Sequence, residues 1–266
     1  MSEEKSRGIE ELSEFALDVI RRSGDEALGF YGRGDPKLKF DMTLVTETEL
    51  HLSVFFCNRL QSRFPAHQVF TNTHDIQTYS HEEKRYLWIF DPLDGVANFQ
   101  AGIPIWGMSL SLLENFWPIF GAFFMPATGD LFFAQAGENA YRNNVKISIC
   151  EQAPINDESL FLTYSRFHNH YRIEFPGKIR NLGCTSAHIC YVAMGRAEAA
   201  AVANGSYQDL SAARIIIEAA GGRLLKMDGS EIFLNEYLDG QRIDSPLMAV
   251  SPESFSQIRN CIREII

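Results

Sequence analysis

Trp88-Ile89-Phe90-Asp91-Pro92-Leu93-Asp94-Gly95-Val96-Ala97-Asn98-Phe99 is an apolar run that empties into two aspartates, a proline and a glycine. The residues from Tyr86 to Phe90 read as a buried strand that ends at Asp91. Asp91 and Asp94 are three apart, and Pro92 favours a tight turn between them, so both carboxylates and the Leu93 carbonyl can converge on one point. Hard oxygen ligands of this kind suit Mg²⁺, Mn²⁺ or Ca²⁺ rather than zinc. Gly95 permits close backbone approach, and a short helix from Val96 to Phe99 would aim its unpaired N–H groups at the same place, as in a phosphate site beside a metal. A plain surface turn has the same short pattern, so the motif needs company before it carries function.

Outward from this stretch, the chain reads as mixed α and β in layers. On the N-terminal side, apolar positions from Ile9 to Leu28 follow a helical period over residues 9 to about 31. A second helix follows Leu44 and Val45, with Thr46 or Thr48 as its expected cap and Leu50, Val54, Leu60 and Phe64 on its expected buried side. Val69-Phe70 reads as a short strand and 71–84 as a polar loop. On the C-terminal side, 106–113, 116–124 and 131–134 are apolar runs separated by turn residues, an antiparallel meander that 140–142 and 145–149 extend. The second half alternates: strands at 160–163, 179–182, 197–202, 223–225 and 247–250, helices at 185–194 and 209–220, and a last helix after Ser251. The segment 167–171 reads as polar and aromatic, without an element.

The 266 residues allow one broad unit or two intimately joined halves. We expect a single unit over 1–266, with an α+β half at about 1–150 that carries the aspartates and an α/β half at 151–266. A net charge of −10 supplies no basic footprint for nucleic acid. The five cysteines are scattered and never form a C-x-x-C pair, which fits a reducing cytoplasm. No signal peptide or run of 18 apolar residues is present, so no membrane association is expected.

A third carboxylate, Asp209, opens the 209–220 helix. Alone it would be an ordinary helix cap; with Asp91 and Asp94 it completes a credible Mg²⁺ ligand set. At this point the sequence resembles a family. The 88–99 stretch, followed by Gly102-Ile103-Pro104 and Met108-Ser109-Leu110, looks like the first signature of the inositol monophosphatase family, and Asp209 to Gly222 resembles the second. Leu44-Val45-Thr46, Phe64-Pro65-Ala66-His67 and the segment from Leu182-Gly183 to Ala197 extend the likeness over nearly the whole chain. The resemblance implies a layered α-β-α-β-α sandwich of the inositol monophosphatase / fructose-1,6-bisphosphatase type, and a homodimer. It further implies a Mg²⁺-dependent phosphomonoesterase, with Mn²⁺ as the alternative ion, acting on a small phosphorylated metabolite. By that resemblance Asp91, Asp94, Asp209 and the Leu93 carbonyl are metal ligands, the Gly95 and Val96 amides hold phosphate, and Gly183, Thr185 and position 202 face the substrate.

The chain also departs from the family. Where Gly-Glu-Glu is usual it has Thr71-Asn72-Thr73, so Asn72 offers an amide oxygen to the metal but no charge. Where Asp-Gly-Thr is usual it has Val96, which leaves Glu49 without the hydroxyl that would help orient the attacking water. Val202 stands where inositol-preferring members carry an acid, and Gln208 replaces the usual tryptophan, which argues against myo-inositol 1-phosphate. Two readings follow: a phosphomonoesterase with altered substrate preference, favoured by the three retained aspartates, or a catalytically weak relative that binds a cation or a protein.

Overall fold

The computed structural model describes residues 3–35, 37–38, 40–70, 86–150, 154–237 and 241–265. The first helix, α1 (Glu3–Leu28), turns Leu12, Ala16, Val19, Ile20 and Ala27 inward. Spacings of three and four put these residues on one stripe. The second helix, α2 (Met42–Arg63), buries Val45, Thr48, Leu52, Phe56 and Leu60. That stripe corrects the one expected from sequence: Leu50 and Val54 are 64% and 50% exposed. The cap differs too. Asp41 Oδ1 accepts the Leu44 N–H at 3.0 Å, one turn before the expected threonines, while Thr48 lies inside the helix and donates to the Leu44 carbonyl at 2.7 Å.

Both helices cover one face of a seven-stranded sheet formed by β1 (Gln68–Val69), β2 (Tyr86–Asp94), β3 (Gly107–Glu114), β4 (Trp117–Met125), β5 (Asp130–Gln135), β6 (Ala140–Arg142) and β7 (Val145–Ile147). The strands lie in chain order; β1 pairs with β2 in parallel and every other pair is antiparallel, so the expected meander is present. Side chains of β2 alternate between two cores: Trp88 and Phe90 pack under α1 and α2, while Leu87 and Ile89 face the molecule's middle.

The second half continues through β8 (Leu160–Leu162), β9 (Tyr171–Ile173), β10 (Lys178–Arg180), α4 (Thr185–Ala193), β11 (Ala199–Val202), α5 (Tyr207–Ala219), β12 (Arg223–Lys226), β13 (Leu247–Val250), α6 (Phe255–Asn260) and β14 (Ile262–Glu264), with the short helix α3 (Val96–Ala101) lying earlier, after β2. Five of these strands form a sheet in the order β10-β8-β11-β13-β12. Helices α4 and α5 pack against each other between the two sheets. Here too the strands alternate: Ala200, Val202, Leu247 and Ala249 face the middle, and Ala199, Ala201, Met248 and Val250 face outward under Phe161, Phe167, Tyr171 and Ile258. The result is the layered α-β-α-β-α sandwich, with α6 and the β9–β14 ribbon as the last layer.

That ribbon was not anticipated. The 167–171 segment holds a short 3-10 turn and leads into β9, and the C-terminal helix stops at Asn260 so that 262–264 can pair with it. Packing of α5 on the first sheet is close enough to require glycine: a Cβ on Gly121 of β4 would lie 2.8 Å from the Ala212 carbonyl oxygen. Beside it Ser111 on β3 and Ser211 on α5 share a buried hydrogen bond of 2.8 Å.

Candidate active site

Strand β2 runs through Asp91 to Asp94 with an irregularity between them, where its pairing slips from Asp91–Ser109 to Asp94–Gly107. Proline cannot donate to the ladder, so Pro92 belongs at such a break. Asp91 is thereby left buried at the strand end, where its Oδ1 accepts the Leu93 N–H at 3.2 Å. Gly95 follows in the left-handed conformation (φ 84°) and forms the N-cap of α3. Its Cβ would meet the Ile105 carbonyl oxygen at 3.0 Å and Cys184 Cβ at 3.1 Å, so glycine is required twice over.

A cavity of about 820 Å³ opens over this turn, lined among others by Glu49, Asp91, Leu93, Asp94, Gly95, Val96, Thr185, Asn204, Gln208, Asp209 and Arg242. Elements distant in sequence supply its walls: α2 gives Glu49, the end of β2 gives Asp91 and Asp94, and the start of α5 gives Gln208 and Asp209. The Gln208 side-chain amide donates to the Phe90 carbonyl and so ties α5 to the strand just ahead of Asp91.

Each aspartate is held differently. The Asp94 carboxylate accepts the Thr185 N–H at 3.1 Å and the Ser186 N–H at 2.6 Å, the first amides of α4. Cys184, at the N-cap of that helix, makes no side-chain cap of its own, so Asp94 caps α4 from 91 residues away. Asp209 sits one turn inside α5: its Oδ2 accepts the Ser206 N–H at 2.8 Å while Ser206 Oγ accepts the Asp209 N–H at 3.3 Å, a capping box. The ordinary capping role of Asp209 is thus real, in a position that also faces the cavity.

Burial pushes the Asp91 carboxyl well above the usual carboxylate range, and repulsion from Asp209, Asp94 and Glu49 adds to it against the single Leu93 hydrogen bond. Asp209 is raised by burial, with Asp94 adding to the rise, while its Ser206 bonds and Arg242 oppose it. Burial also raises Glu49. Among the described lining residues Arg242 is the only lysine or arginine, so this concentration of negative charge lacks an internal counter-charge of equal size. Oxygen-only donors with excess negative charge fit a hard divalent cation. Among the described residues no three His, Cys, Asp or Glu side chains are grouped tightly enough to enclose a metal by themselves. Asn72 lies outside the described residues.

Of the three positions expected to face the substrate, one lines the cavity and two do not. Val202 is 2% exposed on β11, its side chain packed in the middle core, and Gly183 is not among the residues lining the cavity; Thr185 is. Gly183 instead lies against Asn98, whose amide donates to the Ile105 carbonyl at 2.6 Å and the Leu182 carbonyl at 2.7 Å, joining α3 to the second half. Sequence reading passed over Asn98 and Arg242; the position of Asn98 three residues after Gly95 was the one signal available for the former, and no motif surrounds the latter.

Carboxylates gathered at strand and helix ends of a layered α/β sandwich give an oxygen-rich site suited to a hard cation. The sequence pattern of the inositol monophosphatase family matches residues 9–244, and the chain belongs to that family. Inositol monophosphatase 1 of Solanum lycopersicum is 27% identical over 241 residues, covering 85% of this chain and 88% of the relative. The histidinol-phosphatase of Chlorobaculum parvum is 26% identical over 262 residues, covering 94% and 98%. A solved structure of a Thermotoga maritima IMPase agrees in fold, with a TM-score of 0.75 at 22% identity, over 94% of this chain and 96% of that one. The family's members are metal-dependent phosphoric monoester hydrolases, and this chain is an enzyme of that class. No helix among the described residues is long and apolar enough to cross a membrane.

Proposed function

We propose that the protein is a Mg²⁺-dependent phosphomonoesterase acting on a small phosphorylated metabolite other than myo-inositol 1-phosphate, with Mn²⁺ as the alternative ion. The observation that carries this reading is the meeting of Glu49, Asp91, Asp94 and Asp209 in one cavity with a single basic side chain among the described lining residues. The relatives differ in the substrates their names state, inositol phosphate for one and histidinol phosphate for another, so family membership leaves the substrate open.

Asp91, the Leu93 carbonyl, Asp94 and Asp209 would hold the cation, with Asn72 as a further oxygen donor. The bound cation would supply Lewis acidity to the phosphoryl oxygens and the leaving alkoxide. The chain's own residues do the rest. Gly95 and Val96 present the backbone at the start of α3, where the first amides have no intrahelical acceptor and favour an anion. Glu49, its proton affinity raised by burial, takes the proton of an attacking water. Val96 supplies no hydroxyl to orient that water, so turnover is slower than with threonine there. The apolar Phe56, Val69 and Phe70 on the cavity wall limit water at the reacting centre. The same reading places the protein in the cytoplasm as a homodimer. The family placement does not favour the alternative of an inactive binding module.

The test is phosphate release from a broad panel of phosphomonoesters with Mg²⁺ or Mn²⁺, beside Asp91→Asn purified in parallel. Metal-dependent release by the wild type that disappears in Asp91→Asn is expected. Equal release by the two proteins over the whole panel would remove the phosphatase reading.

A further inference from the structure

Arg242 is the feature of the cavity that phosphate hydrolysis as described does not use. It lies at the rim, exposed, facing a cavity whose other charged lining residues are Glu49, Asp91, Asp94 and Asp209. Its backbone is fixed: residue 242 forms a β-bridge with Ser206, and the neighbouring Ile243 N–H donates to the Gly205 carbonyl at 2.9 Å. One guanidinium nitrogen is fixed as well, Nη1 donating to the Asn204 carbonyl at 2.8 Å, and Asn204 itself is held in the left-handed conformation (φ 58°). The anchored group still carries most of its five N–H donors. Among the described residues it has no ion-pair partner; Asp209 is near enough to feel its charge but not to pair with it.

We propose that Arg242 is a specificity-determining residue that binds a second anionic group, a carboxylate or a phosphate, on the phosphomonoester substrate. This rests on reading the cavity as the phosphatase site. A cavity of about 820 Å³ exceeds what one phosphate needs and falls in the ~300–1,000 Å³ range of small-metabolite sites, so most of the substrate lies beyond its scissile group. A fixed guanidinium with no ion-pair partner among the described residues is a planar fork matched to two oxygens of one oxyacid group. A neutral polyol offers it hydrogen bonds but no charge-assisted pair.

Calorimetric titration in excess Mg²⁺ with unreactive phosphonates tests this without turnover. The probes are propylphosphonate, 3-phosphonopropionate and propane-1,3-bisphosphonate, with wild type, Arg242→Gln and Arg242→Lys. The wild type is expected to bind one of the two doubly functional probes at least about tenfold tighter than propylphosphonate, a charge-assisted bidentate contact being worth that much. Which probe wins identifies the second group as carboxylate or phosphate. In Arg242→Gln the preference should fall to within about twofold of unity, and Arg242→Lys should keep part of it. A preference unchanged in Arg242→Gln would assign it to metal chelation and overturn the proposal, as would a wild type with no preference or no binding. The phosphatase reading fails separately: it is judged by phosphate release against Asp91→Asn, which can be lost while the Arg242-dependent preference remains.

Discussion

Val96 is a methyl-for-hydroxyl exchange at the first residue of α3, half-buried where the cavity begins. Threonine has nearly the same shape, and its hydroxyl would face solvent or a carboxylate rather than a dry core. Val96→Thr should therefore fold normally and raise kcat by about tenfold or more, within the ~10²–10⁴-fold worth of a positioned proton-transfer group. Initial rates of phosphate release on the substrate found in the panel check it; an unchanged or lower kcat would show that Glu49 acts without such a partner. A second residue contributes to the pH dependence of stability, opposite in sign to the raised carboxyls of Asp91, Asp209 and Glu49. His188 on α4 is 2% exposed, and its Nε2 accepts the Leu182 N–H at 2.9 Å, which holds the ring neutral. Burial lowers its pKa to about 4, against a smaller upward pull from Asp94. The native state then binds fewer protons than the unfolded chain between the ordinary histidine value and about 4, so stability rises with pH across that window and is lost as pH falls through it. The loss should approach about 3 kcal/mol at pH 4, at ~1.4 kcal/mol per pKa unit. Denaturant melts from pH 7 to 4 measure it, and the slope should flatten in His188→Gln. None of this was legible in the residues around position 188, because the Leu182 amide partner and the burial come from the fold.

Elements built on alternation or turn chemistry were legible: the β2–β7 meander, α3 after Gly95, and α4 and α5 within a residue or two of their ends. The sequence was misread where two apolar stripes competed, on α2, and where a short strand depends on a partner about ninety residues away, as in β9 and β14. The site followed the same rule. That Asp91, Asp94 and Asp209 meet was foreseeable from the resemblance, but the engagement of Asp94 by α4 was not, since nothing near Asp94 announces Thr185 and Ser186. Contact between α5 and β4 sets the distance of Asp209 from Asp91, and Gly121 sets that contact. Gly121→Ala places a methyl 2.8 Å from the Ala212 carbonyl oxygen and 3.1 Å from both Ala212 Cα and Ile215 Cβ, where backbone cannot yield without moving the helix. A cost of about 1–3 kcal/mol is expected from such overpacking. Its signature is a lower urea midpoint with the same m-value, and a fall in metal-dependent activity larger than the stability loss alone would give.

Across the whole molecule three cores alternate with the layers, and they are not equally local. The core under α1 and α2 is drawn from residues 12–131, and the outer core beneath α6 from 161–262. The middle core takes Leu87, Ile89, Leu113, Phe123 and Phe132 from the first half and Ala187, Ile189, Val202, Ile216 and Ala249 from the second. Neither half can close this layer without the other. A break in the peptide chain after Cys150 should therefore leave two polypeptides that are insoluble or molten when made singly, each with an uncovered apolar sheet or helix face, yet that reassemble when made together. Recovery of a stoichiometric pair from co-expression, with neither piece folded alone by near-UV circular dichroism, is the expected result; a soluble, ordered 1–150 piece would contradict it. If the pair forms, an enzyme of this architecture can be switched on by bringing its two pieces together, with the four acids, three on one piece and Asp209 on the other, meeting only at that moment.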